Sequence, residues 1–272
     1  MTRDRPTFSM MTNANTAGAE RPSFVVIGTS AGGENALVQV FKNLPAGFPG
    51  AVLVVIHVAP QRNLGWLAEH LTRAGQLTVK IAEDGQLIEQ GAAYLAPADK
   101  HLLVEGDRLR LGRGPVEQHS RPAIDVLFRS AAAAFGRRLI GVVLTGMLRD
   151  GAVGLRHVRD AGGITIVQNP ESAEAGDMPR NAMEGLEVDY CLELAEIGPL
   201  LELLVRRSGP YKEGILETGL ASALRLMKER AELLAKLCAQ SHDNPKTSTF
   251  LASEIGALDH ELESIRKLIA AR

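Results

Sequence analysis

The feature that most constrains this chain is a series of short apolar runs, several of them unbroken by alternation, each followed by a polar or amphipathic stretch. Phe24–Ile27, Ala51–His57, Leu77–Ile81, Ala92–Leu95, Leu139–Thr145, Gly163–Val167 and Val188–Leu192 form this series, and several are apolar on consecutive positions. A strand that is apolar on both alternating faces must be covered on both, which is the environment of a parallel sheet. The intervening segments 34–43, 64–74, 124–135, 152–161 and 195–206 have helical spacing and the length of crossover connections. The expected class is α/β, a three-layer α/β/α architecture with a doubly wound, mainly parallel sheet. One local exception is a hairpin, in which His101–Glu105 and Arg108–Leu111 flank the turn pair Gly106-Asp107.

At 272 residues and 45% apolar side chains, the chain can bury one substantial core with a small appendage. Residues 1–20 carry no hydrophobic period and are expected to be disordered, 21–207 hold the strand and helix alternation, and 208–272 read as a helical hairpin. In the hairpin Leu220, Leu224, Met227, Ala231, Leu234 and Cys238 form one seam, and Leu251, Ile255, Leu258, Leu262, Ile265 and Ile269 form the other. Such seams close on each other, on a second copy, or on another protein's helices. The formal charge is −2, from 30 basic and 32 acidic side chains, which supplies no cationic field for nucleic acid. No apolar run reaches the roughly 18 residues of a bilayer span, and the first twenty residues lack a signal peptide's apolar segment. The expected location is the cytoplasm, without membrane insertion and with Cys191 and Cys238 reduced.

Three of the apolar runs end in residues able to carry chemistry. The first runs into Gly28-Thr29-Ser30-Ala31-Gly32-Gly33, a small-residue turn that would expose a serine hydroxyl at the start of a helix. The pentapeptide alone fits a nucleophile, a ligand-binding loop and a structural turn; the P-loop Gly-Lys-Ser/Thr and the dinucleotide Gly-x-Gly-x-x-Gly are both missing. The second run ends in His57, a candidate general base or a satisfied strand-end imidazole. The third leads to Thr145-Gly146-Met147-Leu148-Arg149-Asp150, where Asp150 would orient the histidine or cap the following helix. Each signal is weak alone. A serine, a histidine and an aspartate, each at the carboxyl end of a different strand, together point to a nucleophile, base and orienter. Their chain order departs from that of α/β-hydrolases, in which the acid precedes the histidine.

The segments VVIGTSAGG, VIHVAP, AEDGQ, AYLAPADKH, RPAIDVLF, GVVLTGMLRDGAVG, TIVQNPESA and GDMPRNA, spread from about Phe24 to Arg206, resemble the catalytic domain of bacterial chemotaxis protein-glutamate methylesterase. The resemblance implies a cofactor-free Ser-His-Asp hydrolase that demethylates glutamate γ-methyl esters, and deamidates glutamines, on methyl-accepting chemoreceptor helices. By position it makes Ser30 the nucleophile, His57 the base and Asp150 its partner, with the main-chain amides of Ala31 and Met147 as an oxyanion hole. Ile56, Val58 and Leu148-Arg149 depart from the family's usual residues around the site. Only about twenty unpatterned residues precede the domain, so the family's receiver domain is not expected here. Asp99, Lys100 and His101 are read as shaping a loop, and Asp125 as starting a helix near the site. The competing functions are a non-catalytic receptor-binding module and a hydrolase of a different ester; no metal site is expected.

Overall fold

The computed structural model describes residues 23–59 and 61–206. The chain divides into two units, Met1–Ser208 and Gly209–Arg272, and every described residue lies in the first. The expectations for residues 1–20 and for the hairpin in 208–272 fall outside the described residues.

Strand β1 (Phe24–Thr29) leads to helix α1 (Gly33–Lys42), then β2 (Ala51–Ile56), α2 (Gly65–Ala74), β3 (Thr78–Ile81) and β4 (Ala92–Leu95). A hairpin of β5 (His101–Glu105) and β6 (Arg108–Gly112) follows, then α3 (Ile124–Phe135) and β7 (Leu139–Val143). The unit closes with α4 (Ala152–Asp160), β8 (Ile164–Gln168), α5 (Asp177–Met183), β9 (Tyr190–Leu192) and α6 (Leu194–Arg206). Seven strands form one sheet in the order β3-β4-β2-β1-β7-β8-β9, every pair parallel, while β5 and β6 make a separate antiparallel pair. The α/β expectation therefore holds.

The burial of each strand follows its place. β1, β2 and β7 are buried at every residue, as their consecutive apolar runs require, whereas the edge strands β3 and β9 are partly open. Helix α1 packs on α2 and α6, and α3 packs on α4 and on the hairpin. Phe24 and Val26 of β1 pack with Leu127 and Phe128 of α3 and Leu155 and Val158 of α4 in one core cluster.

Two differences from the sequence reading have local causes. The sequence does not announce helix α5, because its seven residues, with Pro179 inside, are too few to display a helical period. Strand β9 begins two residues later than expected, since the Asp189 carboxylate accepts the Thr165 amide and hydroxyl, each at 2.8 Å, and ladder pairing starts at Tyr190.

The topology sets the site's place. From β1 the chain winds to β2 on one side, and it later places β7 on the other, so β1 is the point where strand order reverses. Crevices beyond the carboxyl ends at such a point are where open parallel sheets bind ligands.

Candidate active site

Ser30, His57 and the Thr145-to-Asp150 turn are the first polar features beyond the carboxyl ends of β1, β2 and β7. Thr29 pairs with Ile56, so Ser30 and His57 are each one residue past matched positions. The His57 amide donates to the Thr29 carbonyl at 3.1 Å and the Ser30 amide to the Thr145 carbonyl at 3.0 Å, stitching all three strand ends together. Ser30, Ala31 and His57 line one open cavity of about 450 Å³, with Gly32, Gly33, Glu34, Asn35, Ile56 and Arg62. Arg62 and Glu34 form an ion pair across that wall at 2.5 Å.

Ser30 occupies a turn that only small residues permit. Gly32 is the N-cap of α1 with φ 75°, a left-handed conformation, and a Cβ there would also come within 2.7 Å of the Glu174 carboxylate. A side chain at Gly146 would strike Met178 and lie 2.9 Å from the Ser30 Cβ. The serine thus sits at the N-terminus of α1, where unpaired amides and the helix dipole favour negative charge.

His57 Nε2 lies 2.8 Å from Asp150 Oδ2. Asp150 is only 2% exposed, and its carboxylate also accepts the Ile124 amide on Oδ2 at 2.7 Å and the Asp125 amide on Oδ1 at 2.9 Å. With both oxygens already accepting amides, the carboxylate is the acceptor and the ring donates through Nε2–H, so Nδ1 is the ring nitrogen turned away from Asp150. The alternative role for Asp150, a cap on the helix that follows it, gives way to a different arrangement. Asp150 caps α3, and α4 is capped from α3 by Asp125, whose Oδ1 accepts the Gly151 and Gly154 amides at 2.9 and 2.6 Å.

Asp125 is itself 3% exposed. Burial pushes its carboxyl up to about 6, the nearby Asp150 charge adds to the rise, and the Gly154 and Gly151 amides oppose it. The loop expected around Asp99 and His101 holds the start of α3 in place. Arg121 donates twice to Asp99, at 2.9 and 2.6 Å, and the Ala123 amide donates to His101 Nδ1 at 3.2 Å.

Sequence reasoning passes over Thr145, Gln168 and the second role of Asp125. The buried Thr145 hydroxyl donates to the Ala31 carbonyl at 2.9 Å and accepts the Ala175 amide at 2.8 Å, while Gln168 Oε1 accepts the Thr145 amide at 2.9 Å. The available signal is a polar residue closing an otherwise apolar strand run, and an acid among the apolar residues of Ile124-Asp125-Val126-Leu127-Phe128. The amide of Ala31 follows the serine directly, and Met147 lies two residues beyond Thr145; among the described residues neither main-chain N–H has a protein acceptor.

An imidazole held by a buried carboxylate, in one cavity with a serine at a helix N-terminus, can accept a proton while an anion forms nearby. No described helix is long and apolar enough to cross a membrane.

Residues 25–201 match the family described as CheB methylesterase. A provisionally named protein-glutamate methylesterase/protein-glutamine glutaminase of Leptospira interrogans is 40% identical over 177 residues, covering 65% of this chain and 91% of that protein. A Yersinia pestis protein-glutamate methylesterase/protein-glutamine glutaminase is 41% identical over 177 residues, 64% of this chain and 50% of its own length. The chain therefore spans about half the length of that relative. The crystal structure of the Thermotoga maritima CheB methylesterase catalytic domain aligns with TM-score 0.65 and 35% identity, covering 67% of this chain and 98% of that one.

Proposed function

The chain belongs to the CheB methylesterase family, and from that premise we propose that it is a protein-glutamate methylesterase and protein-glutamine glutaminase acting on methyl-accepting chemoreceptors in the cytoplasm. The catalytic domain in this reading is 21–207. Ser30 Oγ attacks the γ-carbonyl of an esterified glutamate or a glutamine, and its proton passes to His57 Nδ1, the nitrogen that does not face Asp150. Asp150 fixes the ring's orientation and balances the imidazolium charge. The oxyanion is met by the amides of Ala31 and Met147, aided by the N-terminus of α1.

The imidazolium then gives its proton to the departing methoxide oxygen or amide nitrogen, releasing methanol or ammonia and leaving an acyl-serine. A water molecule, deprotonated by His57, attacks the acyl carbon, and Ser30 leaves with the proton returned. The product is a free glutamate, so the receptor gains one negative charge per event.

The observation that carries this reading is the 2.8 Å bond between His57 and the buried Asp150, beside Ser30 in a shared cavity. Methanol release from methylated receptor membranes, compared between wild type and Ser30→Ala, tests it. The expected result is loss of at least about 10³-fold in rate with the fold intact by circular dichroism. Equal release by the two proteins, or none from wild type with any cognate receptor, overturns it.

A further inference from the structure

Three of the six large hydrophobic side chains that stand exposed among the described residues fall within seven positions of one another, in and just after the turn that leads to Asp150. Met147 is 57% exposed, Leu148 61% and Val153 44%. Single exposed apolar side chains are ordinary on a protein surface, but a cluster beside a site is not. Leu148 adds a second peculiarity, because its backbone is left-handed at φ 68°. A side chain with a Cβ is disfavoured there, and glycine or asparagine would be accommodated at less cost.

The strained turn is held from both ends. Asn181 of α5 donates its side-chain N–H to the Leu148 carbonyl at 2.6 Å, and Gly146, two residues earlier, lies against the Ser30 Cβ and gives its amide to Ala175. Two residues later comes Asp150. Leu148 is therefore within about 7 Å of chain from each of two site positions, and its side chain is displayed to solvent. Its neighbour Arg149 is paired with Glu184 at 2.7 Å, an exposed ion pair that brings no net charge beside the apolar side chains.

We propose that Leu148, flanked by Met147 and Val153, is a specificity-determining contact that receives an apolar side chain of the protein substrate about one helical turn from the glutamate presented to Ser30. The occupant is an amphipathic helix, in which residues three and four positions apart share a face. One such helix sets an apolar side chain against Leu148 while its esterified glutamate enters the cavity. The inference rests on the esterase reading above and adds to it the residue that recognises the polypeptide around the ester.

The test uses the full chain with Leu148→Asn, Leu148→Gly and Leu148→Met, assayed for methanol release from methylated receptor membranes and from a small N-acetylglutamate γ-methyl ester amide. Asn and Gly suit the left-handed backbone, so neither variant is expected to unfold the protein, and Met restores apolar surface. The expected result is a KM for receptor raised about tenfold by Asn and Gly, the scale of one lost Leu contact, with kcat/KM on the small ester changing at least about fivefold less. Leu148→Met should stay within about threefold of wild type on both substrates. Equal losses on receptor and small ester, or a receptor KM untouched in Asn and Gly, overturn the inference while leaving the esterase reading standing. A wild type that hydrolyses the small ester but no receptor removes both.

Discussion

The two ends of one short turn obey opposite rules. At its inner end Asp150 is 2% exposed and each oxygen accepts a backbone amide; at its outer end Met147 and Leu148 are exposed, and one is held in a left-handed conformation. A fully satisfied buried carboxylate and an uncovered apolar surface thus lie side by side in the chain. The difference teaches that the groups proposed for chemistry and those proposed for recognition are supported differently. The groups proposed to move protons are placed by backbone hydrogen bonds from other elements, so their surroundings tolerate little change. The outer end is held through its backbone, by the Asn181 side chain on the Leu148 carbonyl, and leaves its apolar side chains uncovered.

The largest effect should come from breaking the inner end. Asp150→Asn keeps the shape but removes the charge that balances the imidazolium, and sets its NH2 against one of the N–H donors that the carboxylate now accepts, the ring or a backbone amide. Methanol release is expected to fall by about 10⁴-fold in kcat, and recovery within tenfold of wild type would remove Asp150 from its proposed role.

A smaller effect sharpens the comparison through pH. The Asp125 carboxyl titrates at about 6 when folded, against 3.8 for the ordinary group. Between those values the native protein holds a proton that the unfolded chain has released, so this group's contribution to stability is fullest below about pH 4 and declines as pH rises through 6. A rise of that size is worth about 3 kcal/mol at most. The Asp125→Asn variant should lack this decline, so the gap between wild-type and variant unfolding free energies, measured in urea at about pH 4.5 and 7, should change in that direction. A gap that is constant with pH would show that Asp125 is ionised throughout.

The smallest effect belongs to the outer end. Leu148→Gly relieves about 1–2 kcal/mol of left-handed strain and loses about 0.5–1 kcal/mol to the greater freedom of the unfolded chain. A net gain of about 0.5–1 kcal/mol is expected, a Tm rise of about 2 °C by calorimetry. A loss of stability instead would mean that the Leu148 side chain supports the turn, and that the two ends are less different than they look.

The sequence carries the parts of this molecule that are local. Ala51-Val52-Leu53-Val54-Val55-Ile56 announces a strand covered on both faces, and Gly106-Asp107 between apolar runs announces a hairpin; both are found in place. Ser30 and His57 can be singled out because each is a polar residue at or just beyond the end of an apolar run, and Asp150 because it closes the turn that follows a third. What stays illegible depends on contacts between distant segments. Strand order, with β7 beside β1, is one such fact. The exchange of caps is another, since Asp125 serves amides 26 and 29 residues away and Asp150 serves amides behind it. Read locally, Asp150 looks like the cap of its own helix, and only the docking of α3 against α4 reverses the assignment. Thr145 likewise reads as the end of a strand, although its hydroxyl binds the turn that carries Ser30.

The exchanged caps also bear on how the site comes apart. The first amides of a helix ordinarily fray soonest and exchange hydrogen with solvent fastest. Here the leading amides of α3 are closed by a side chain at the mouth of α4, and those of α4 by a side chain of α3. Each end is closed by a side chain of the other, so the Ile124, Asp125, Gly151 and Gly154 amides are expected to exchange with solvent together. Displacing the carboxylate that faces His57 thus means breaking bonds to α3 as well as the bond to the ring.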